Sequence, residues 1–140
     1  MRQQIKKVNN RKIEPLQQAD PILDEQAVYR LLGLARRAGR VIGGMDAVEK
    51  AIRQHQARLV IVACDAAERT GRQIKETARR EHIRVVEFGQ KQEIGHWTGS
   101  SSRAVVAIMD THFAVRLNDL IEQTPAESAE EKALSATQEG

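Results

Sequence analysis

From Asp24 to Ala38 apolar positions recur at three- and four-residue steps. Val28, Leu31, Leu32, Ala35 and Ala38 form one stripe, with Arg30 and Arg37 on the opposite face. This period predicts an amphipathic helix stopped by Gly39. Arg40–Ile42 then reads as a short strand, and Met45, Val48, Ala51 and Ile52 as the inward stripe of a second helix. The run RLVIVAC, residues 58–64, is continuously apolar after its first residue, the pattern of a strand covered on both faces. A polar helix over 68–82, a strand RVVEFG from Arg84, a short helix over 90–97 and the loop TGSSSR follow. Another strand, AVVAIMD, leads into a last helix over 111–123 carrying Phe113, Val115, Leu117, Leu120 and Ile121. Strand, helix and strand in succession from residue 58 predict a parallel crossover. The alternation as a whole predicts an α/β fold: a three-layer α/β/α sandwich with a small mixed sheet and helices on both faces.

The ends lack such periodicity. Residues 1–23 carry Arg2, Lys6, Lys7, Arg11 and Lys12 and read as a flexible basic arm, residues 24–124 as the domain, and residues 125–140 as an acidic disordered tail. The net charge of +3 divides unevenly, with +2 over residues 1–24, +4 over 25–123 and −3 over 124–140. A basic domain favours an anionic partner without requiring one. The start, MRQQIKKVNN, has no apolar signal region, and LVIVAC is too short to span a membrane, so the expected setting is cytoplasmic, with no membrane partner. Aromatic residues make up 3% of the chain, too few for a platform of rings that stack on single-stranded RNA. The single cysteine, Cys64, cannot form an intramolecular disulfide and is expected to be buried.

Little in the sequence points to catalysis. His55, His82, His96 and His112 stand in four different elements at no metal-ligand spacing, and there is no phosphate-binding P-loop, dinucleotide fingerprint or nucleophile elbow. Neither a metal nor another cofactor is expected, nor a small-molecule substrate. Asp65 ends an apolar strand, where a capping role is commoner than a catalytic one. Helix 68–82 carries Arg69, Arg72, Lys75, Arg79 and Arg80, but Glu68 lies four before Arg72 and Glu76 four before Arg80, so much of that charge reads as a locally paired, solvated face.

The stretch GGMDAVEKAI, residues 43–52, has two readings. In one, Gly43 and Gly44 serve a tight strand-to-helix turn, Asp46 complements the helix dipole and pairs with Lys50, and the upstream arginines finish the previous helix. In the other, the absence of Cβ atoms lets another molecule approach the unsatisfied amides of the first turn, with Arg36, Arg37, Arg40 and Lys50 as a compact basic rim. The loop Thr98–Arg103 is likewise either a plain connection or a pliable hydroxyl-rich surface presenting Arg103 to a phosphate or an unstacked base.

The segments LLGLARRAGRVIGGMDAVEKAI, RLVIVACDAAERTGRQIKE and VVEFGQKQEIGHWTGSSSRAVVAIMD, in order and with matching element lengths over Val28–Leu117, resemble the seven-Ae family of large-subunit ribosomal proteins, in particular its bacterial branch. The resemblance implies the same sandwich and binding of kink-turn RNA, a sharply bent duplex with tandem sheared G·A pairs, without enzymatic activity. It places the RNA-contacting helix start on Gly44, Met45, Asp46, Ala47 and Lys50, and a second contact loop on Gly99, Ser100, Ser101, Ser102 and Arg103. Gly44 and Lys50 fit the family pattern. Archaeal-type kink-turn binders carry Asn and Glu where this chain has Asp46 and Ala47, and an apolar-Ser-Arg-Pro loop where it has TGSSSR. Asp46 can accept from guanine N1 and N2 hydrogens but cannot donate to O6, and Ala47 offers no side-chain hydrogen bond. Since a bidentate base contact supplies about 1–3 kcal/mol of discrimination, these changes weaken base reading more than phosphate affinity.

The expected function is therefore binding of structured, kink-turn-like ribosomal RNA through Gly43–Lys50 and Gly99–Arg103, with Arg37 and Arg40 adding charge. The alternatives are a protein-interaction module associated with the ribosome or transcription machinery, and a small α/β enzyme or nucleotide binder using Cys64, Asp65 and Gly89.

Overall fold

A computed structural model describes residues 20–124, with side-chain surroundings from Glu25 onward. The acidic tail and residues 1–19 of the basic arm lie outside the described residues. Nine elements follow in order: α1 (Asp20–Arg37), β1 (Val41–Gly43), α2 (Met45–Arg53), β2 (Leu59–Val62), α3 (Glu68–Arg80), β3 (Val85–Glu87), α4 (Lys91–Trp97), β4 (Val105–Ile108) and α5 (Thr111–Gln123). Helix α1 takes in residues 20–23, which the sequence pattern assigned to the arm. Pro21 falls in the first turn, where its missing N–H removes no helical bond, so it does not stop the helix from starting earlier.

The strands form one mixed sheet in the order β1-β4-β2-β3. β2 and β3 are parallel, as the intervening helix requires, with Val60 opposite Val85. β4 runs antiparallel between β1 and β2, pairing Val106 with both Gly43 and Ile61. All side chains of β2 and β4 are buried, because each strand is central and each face is covered. Leu59, Ile61, Val106 and Ile108 meet Val28, Leu32, Ile94 and Leu117 of α1, α4 and α5. Val60, Val62, Val105 and Ala107 meet Val48, Ile52, Ile74 and Ala78 of α2 and α3. Strand alternation thus divides one continuous apolar run between two cores and gives the expected three-layer sandwich.

Two expected positions differ. Val115 is 54% exposed, because the buried stripe of α5 follows Ala114 and Leu117 with Phe113, Leu120 and Ile121 against the same core. Cys64 is half-buried, since sheet pairing stops at Val62 and the chain turns there, its amide donating to Gly89 O at 2.7 Å.

Helix ends show a shared device. α1, α2, α3 and α4 are each followed by a residue with positive φ, namely Gly39, His55, His82 and Gly99. In each case the next amide donates to the carbonyl five residues back, from Arg40 to Ala35, Gln56 to Ala51, Ile83 to Ala78 and Ser100 to Gly95. Two histidines thus do the work usually left to glycine, and His55 Nε2 also lies 3.2 Å from Glu81 Oε1.

The rings gather between α1 and α4. Tyr29 tilts against Phe88 at 5.1 Å between centroids and lies nearly parallel to Trp97 at 6.4 Å. Burial pushes the Tyr29 phenol up to about 12, against a partly offsetting hydrogen bond from the Gln90 amide. Between its ordinary value of 10 and 12, the unfolded chain sheds this proton while the folded chain keeps it, so stability falls as pH rises through that window. Tyr29→Phe is expected to remove this component. Wild type should lose more melting temperature than Tyr29→Phe as pH rises from about 10 to about 12. Parallel curves would show that the phenol does not titrate in this way.

Candidate functional site

β1, β2 and β3 end, and β4 begins, at the same edge of the sheet, so α2, α3 and α4 all start there. The termini are treated differently. Asp65 Oδ1 accepts from the Lys91 amide at 2.8 Å and caps α4 across the sheet edge. α2 and α3 follow Gly44 and Ala67, neither of which makes a side-chain cap. At the opposite edge, Asp110 caps α5 by accepting from Phe113 N at 3.0 Å, and this bond holds its carboxyl below the ordinary 3.8.

At α2 the backbone explains the open start. Gly44 has φ +99°, a conformation that L side chains rarely adopt, so a Ser, Thr or Asp cap is strained there. Its own amide donates to Val105 O at 3.1 Å and its carbonyl accepts from Val48 N at 2.9 Å. Gly44 offers the next amides, from Met45 to Ala47, no side-chain cap, and no side chain among the described residues accepts from them. Met45 is half-buried against the α2–α3 core, while Asp46, Ala47 and Lys50 are exposed. The exposed Asp46–Lys50 ion pair allowed by their spacing does not form among the described residues.

Arg103 joins this turn to the serine-rich loop. A Cβ on Gly43 would lie 2.7 Å from Arg103 Nε, and one on Gly44 3.1 Å from its Nη1, so the guanidinium rests on the glycine pair. The loop itself runs back along α4. Gly99 turns the chain, Ser100 N donates to Gly95 O at 2.7 Å, and Arg103 N donates to Lys91 O at 3.0 Å. Between these pins the loop backbone lies against Gly95, where a Cβ would sit 2.5 Å from Ser102 N. Ser101 and Ser102 are exposed, and Ser100 is half-buried with Oγ donating to Ser102 O at 3.4 Å. At the far end, a Cβ on Gly99 would lie 2.6 Å from Arg36 Cζ.

The two predicted segments therefore adjoin, but as a band along the loop rather than a compact rim. Gly43, Gly44, Met45, Asp46 and Lys50 lie at the Arg103 end, and Gly99 at the Arg36 end. Arg37 is exposed in the last turn of α1. Arg40 is exposed at the start of β1, a strand's length from Gly44, where its charge reaches Asp110. Sequence reasoning gave no role to Gly95 and did not place Arg36 on the loop. A glycine inside a short helical pattern was the one available signal, as it often marks a close backbone approach.

This arrangement is electrostatically unbalanced. A helix start carries partial positive charge, and Arg103 adds a full one beside it. An anion placed over Gly43–Gly44 would meet both. The strand-end residues suited to an enzyme are otherwise engaged: Asp65 caps α4, and Gly89 lies beneath Tyr29, whose hydroxyl is 2.5 Å from where a Cβ would be. Among the described residues no three His, Cys, Asp or Glu side chains cluster as metal ligands, and no helix is long and apolar enough to cross a membrane.

This geometry belongs to a known class. Residues 26–117 match the Ribosomal protein L7Ae/L30e/S12e/Gadd45 family, and the chain is a member of it. Among its relatives, RNA-binding protein YlxQ of Bacillus subtilis (strain 168) is 33% identical over 94 residues, 67% of this chain and 94% of that protein. RNA-binding protein YlxQ of Enterococcus faecium is 34% identical over 99 residues, 71% of this chain and 95% of that protein. Both are described as RNA-binding proteins and neither as an enzyme, in keeping with the reading of this chain as a binder. A solved protein of unknown function from Bacillus halodurans superposes with a TM-score of 0.67 at 32% identity, over 69% of this chain and 97% of that one. A Giardia lamblia 15.5kD RNA binding protein shares the fold, with a TM-score of 0.58 at 17% identity, over 81% of this chain and 94% of that one.

The glycines make different demands on their neighbours. At Gly43 the obstacle is the flexible Arg103 side chain, whereas at Gly95 it is the backbone of Ser101 and Ser102. Gly43→Ala should fold with little loss of stability. Gly95→Ala should cost about 1–3 kcal/mol by forcing the loop outward. Thermal melts of the two variants check this, and equal losses would show that the loop is not pinned as described.

Proposed function

We propose that this protein binds structured RNA, a kink-turn-like element of ribosomal RNA, through the start of α2 from Gly43 to Lys50 and the loop from Gly99 to Arg103. The observation that carries the reading is Arg103 lying over Gly43 and Gly44, which makes the uncapped helix start and the exposed serines one surface. Family membership and the similarity to the RNA-binding YlxQ proteins support RNA as the polyanion.

In this reading a phosphate at the bend takes the amides after Gly44 and the Arg103 guanidinium together. Lys50, one turn further along α2 and without an ion-pair partner among the described residues, reaches a guanine edge or a second phosphate. Arg37 and Arg40 contribute longer-range attraction toward the strands that leave the bend. Asp46 accepts from guanine N1 and N2 hydrogens while repelling nearby phosphate, so phosphate geometry contributes more than base identity.

The decisive comparison is between a kink-turn RNA and the same duplex with its sheared G·A pairs replaced by Watson–Crick pairs. The kink-turn should bind more tightly in a gel-shift titration, and equal affinities would sink the claim to a bent target. If about three to five phosphates are neutralised, log K should fall against log salt with a slope of about −2 to −4. Lys50→Ala should weaken binding on the order of ten-fold with an unchanged melting temperature. Asp46→Asn restores an amide donor and removes a negative charge, and should strengthen kink-turn binding about three- to ten-fold. A weaker Asp46→Asn complex would count against Asp46 facing a guanine.

A further inference from the structure

A groove between α1 and α4 continues the proposed footprint. Arg30, Leu34, Arg36 and Arg37 of α1 line it with His96 and Trp97 of α4, enclosing about 440 Å³, within the range of clefts that hold small organic ligands. None of its lining residues is acidic, so three arginines gather there without a lining counter-charge. Leu34 stands 50% exposed among them, and Trp97 is half-buried.

The indole is held in place. Tyr29 lies nearly parallel to it, His96 meets it at 85° with 5.4 Å between centroids, and Gly33 admits it where a Cβ would lie 3.1 Å from Trp97 Cε3. Arg36 lies against Gly99 as well as lining the groove, so the groove adjoins the loop that ends at Arg103.

Cations beside a fixed aromatic and an exposed aliphatic side chain suit a ligand that is anionic at one end and flat and apolar at the other. A bare phosphate would leave Leu34 and Trp97 unused, and a base-paired backbone would offer no free ring. We infer that this groove receives one unpaired nucleotide of an RNA strand leaving the bend, its phosphate between Arg30, Arg36 and Arg37 and its base against Leu34 and Trp97. The inference rests on the RNA-binding function proposed above and extends that footprint along α1.

The test uses the full chain with a blunt-ended kink-turn RNA and with the same RNA carrying about six unpaired adenosines on one end or the other. Trp97 is the only tryptophan, so its emission reports on the groove. An overhang on one end should raise affinity about five-fold or more and change Trp97 emission, which blunt RNA leaves unchanged. The double variant Arg30→Gln, Leu34→Ala alters two exposed side chains and should keep the melting temperature and the blunt-RNA affinity while losing the overhang gain. Tight binding of blunt RNA with no gain from either overhang would overturn the inference and leave the proposed function standing. A change in Trp97 emission with an acidic peptide but not with overhangs would also overturn it and mark the groove as a protein-docking surface. Failure of every RNA to bind would overturn the proposed function, and this inference with it.

Discussion

The insertion of β4 between β1 and β2 is the constraint on which the remaining architecture depends. The last strand in sequence becomes a central strand in space, bonded on both sides and buried on both faces. Its start is thereby fixed beside the end of β1, and the six-residue stretch TGSSSR must reach that point from the end of α4. The loop can do so only by running back along α4, which explains the close approach at Gly95 and the bond from Arg103 N to Lys91 O. Arg103 comes to rest on Gly43 and Gly44 because sheet register delivers it there. The link between two segments sixty residues apart in the chain (~60, residues 43 and 103) is thus a consequence of burying Val105–Ile108 in both cores.

The same edge that collects helix starts also separates stability from availability. α5, at the other edge, satisfies its first turn internally through Asp110, and α4 borrows Asp65. α2 has neither arrangement, and Gly44 with φ +99° hinders a conventional capping side chain. Arg103 beside that terminus adds like charge to a positive dipole end, which disfavours the empty site and favours an occupied one. An anion gains from both features at once, which is what a preorganised site requires.

Much of the fold was legible because it is local. The uninterrupted apolar runs at 59–62 and 105–108 announce strands with two covered faces, and the three- to four-residue steps of α1 and α2 announce their buried stripes. The glycine pair and the serine-rich loop could be singled out for the same reason. Their adjacency was not legible from local pattern, because strand order is a long-range choice that periodicity does not encode. Arg40 illustrates the limit: four residues from Gly44 in sequence, it lies across the length of β1 beside Asp110, while Arg36 reaches the loop. Nor could local signals reveal that His55 and His82 take the left-handed position after α2 and α3, where composition leads one to look for Gly or Asn. Helix α1 likewise begins before the apolar steps, at Asp20, since Pro21 reads as a break but is tolerated in its first turn.

The few rings constrain what kind of recognition this surface can perform. Tyr29, Phe88 and Trp97 serve the core between α1 and α4, and Phe113 of α5 packs against the same core, so the band from Gly44 to Gly99 contains no aromatic side chain. A surface built from amides, hydroxyls and guanidinium groups reads where phosphates lie, and therefore the shape of a backbone, more readily than it reads bases. Asp46, which has no amide donor, and Ala47, which offers no side-chain hydrogen bond, push in the same direction. Half-buried Trp97 stands apart from that band and lines the groove between α1 and α4. Under the proposed function, shape selection at one end of the band and a single ring at the other would together favour a folded RNA with an unpaired flank over either a plain duplex or a plain single strand.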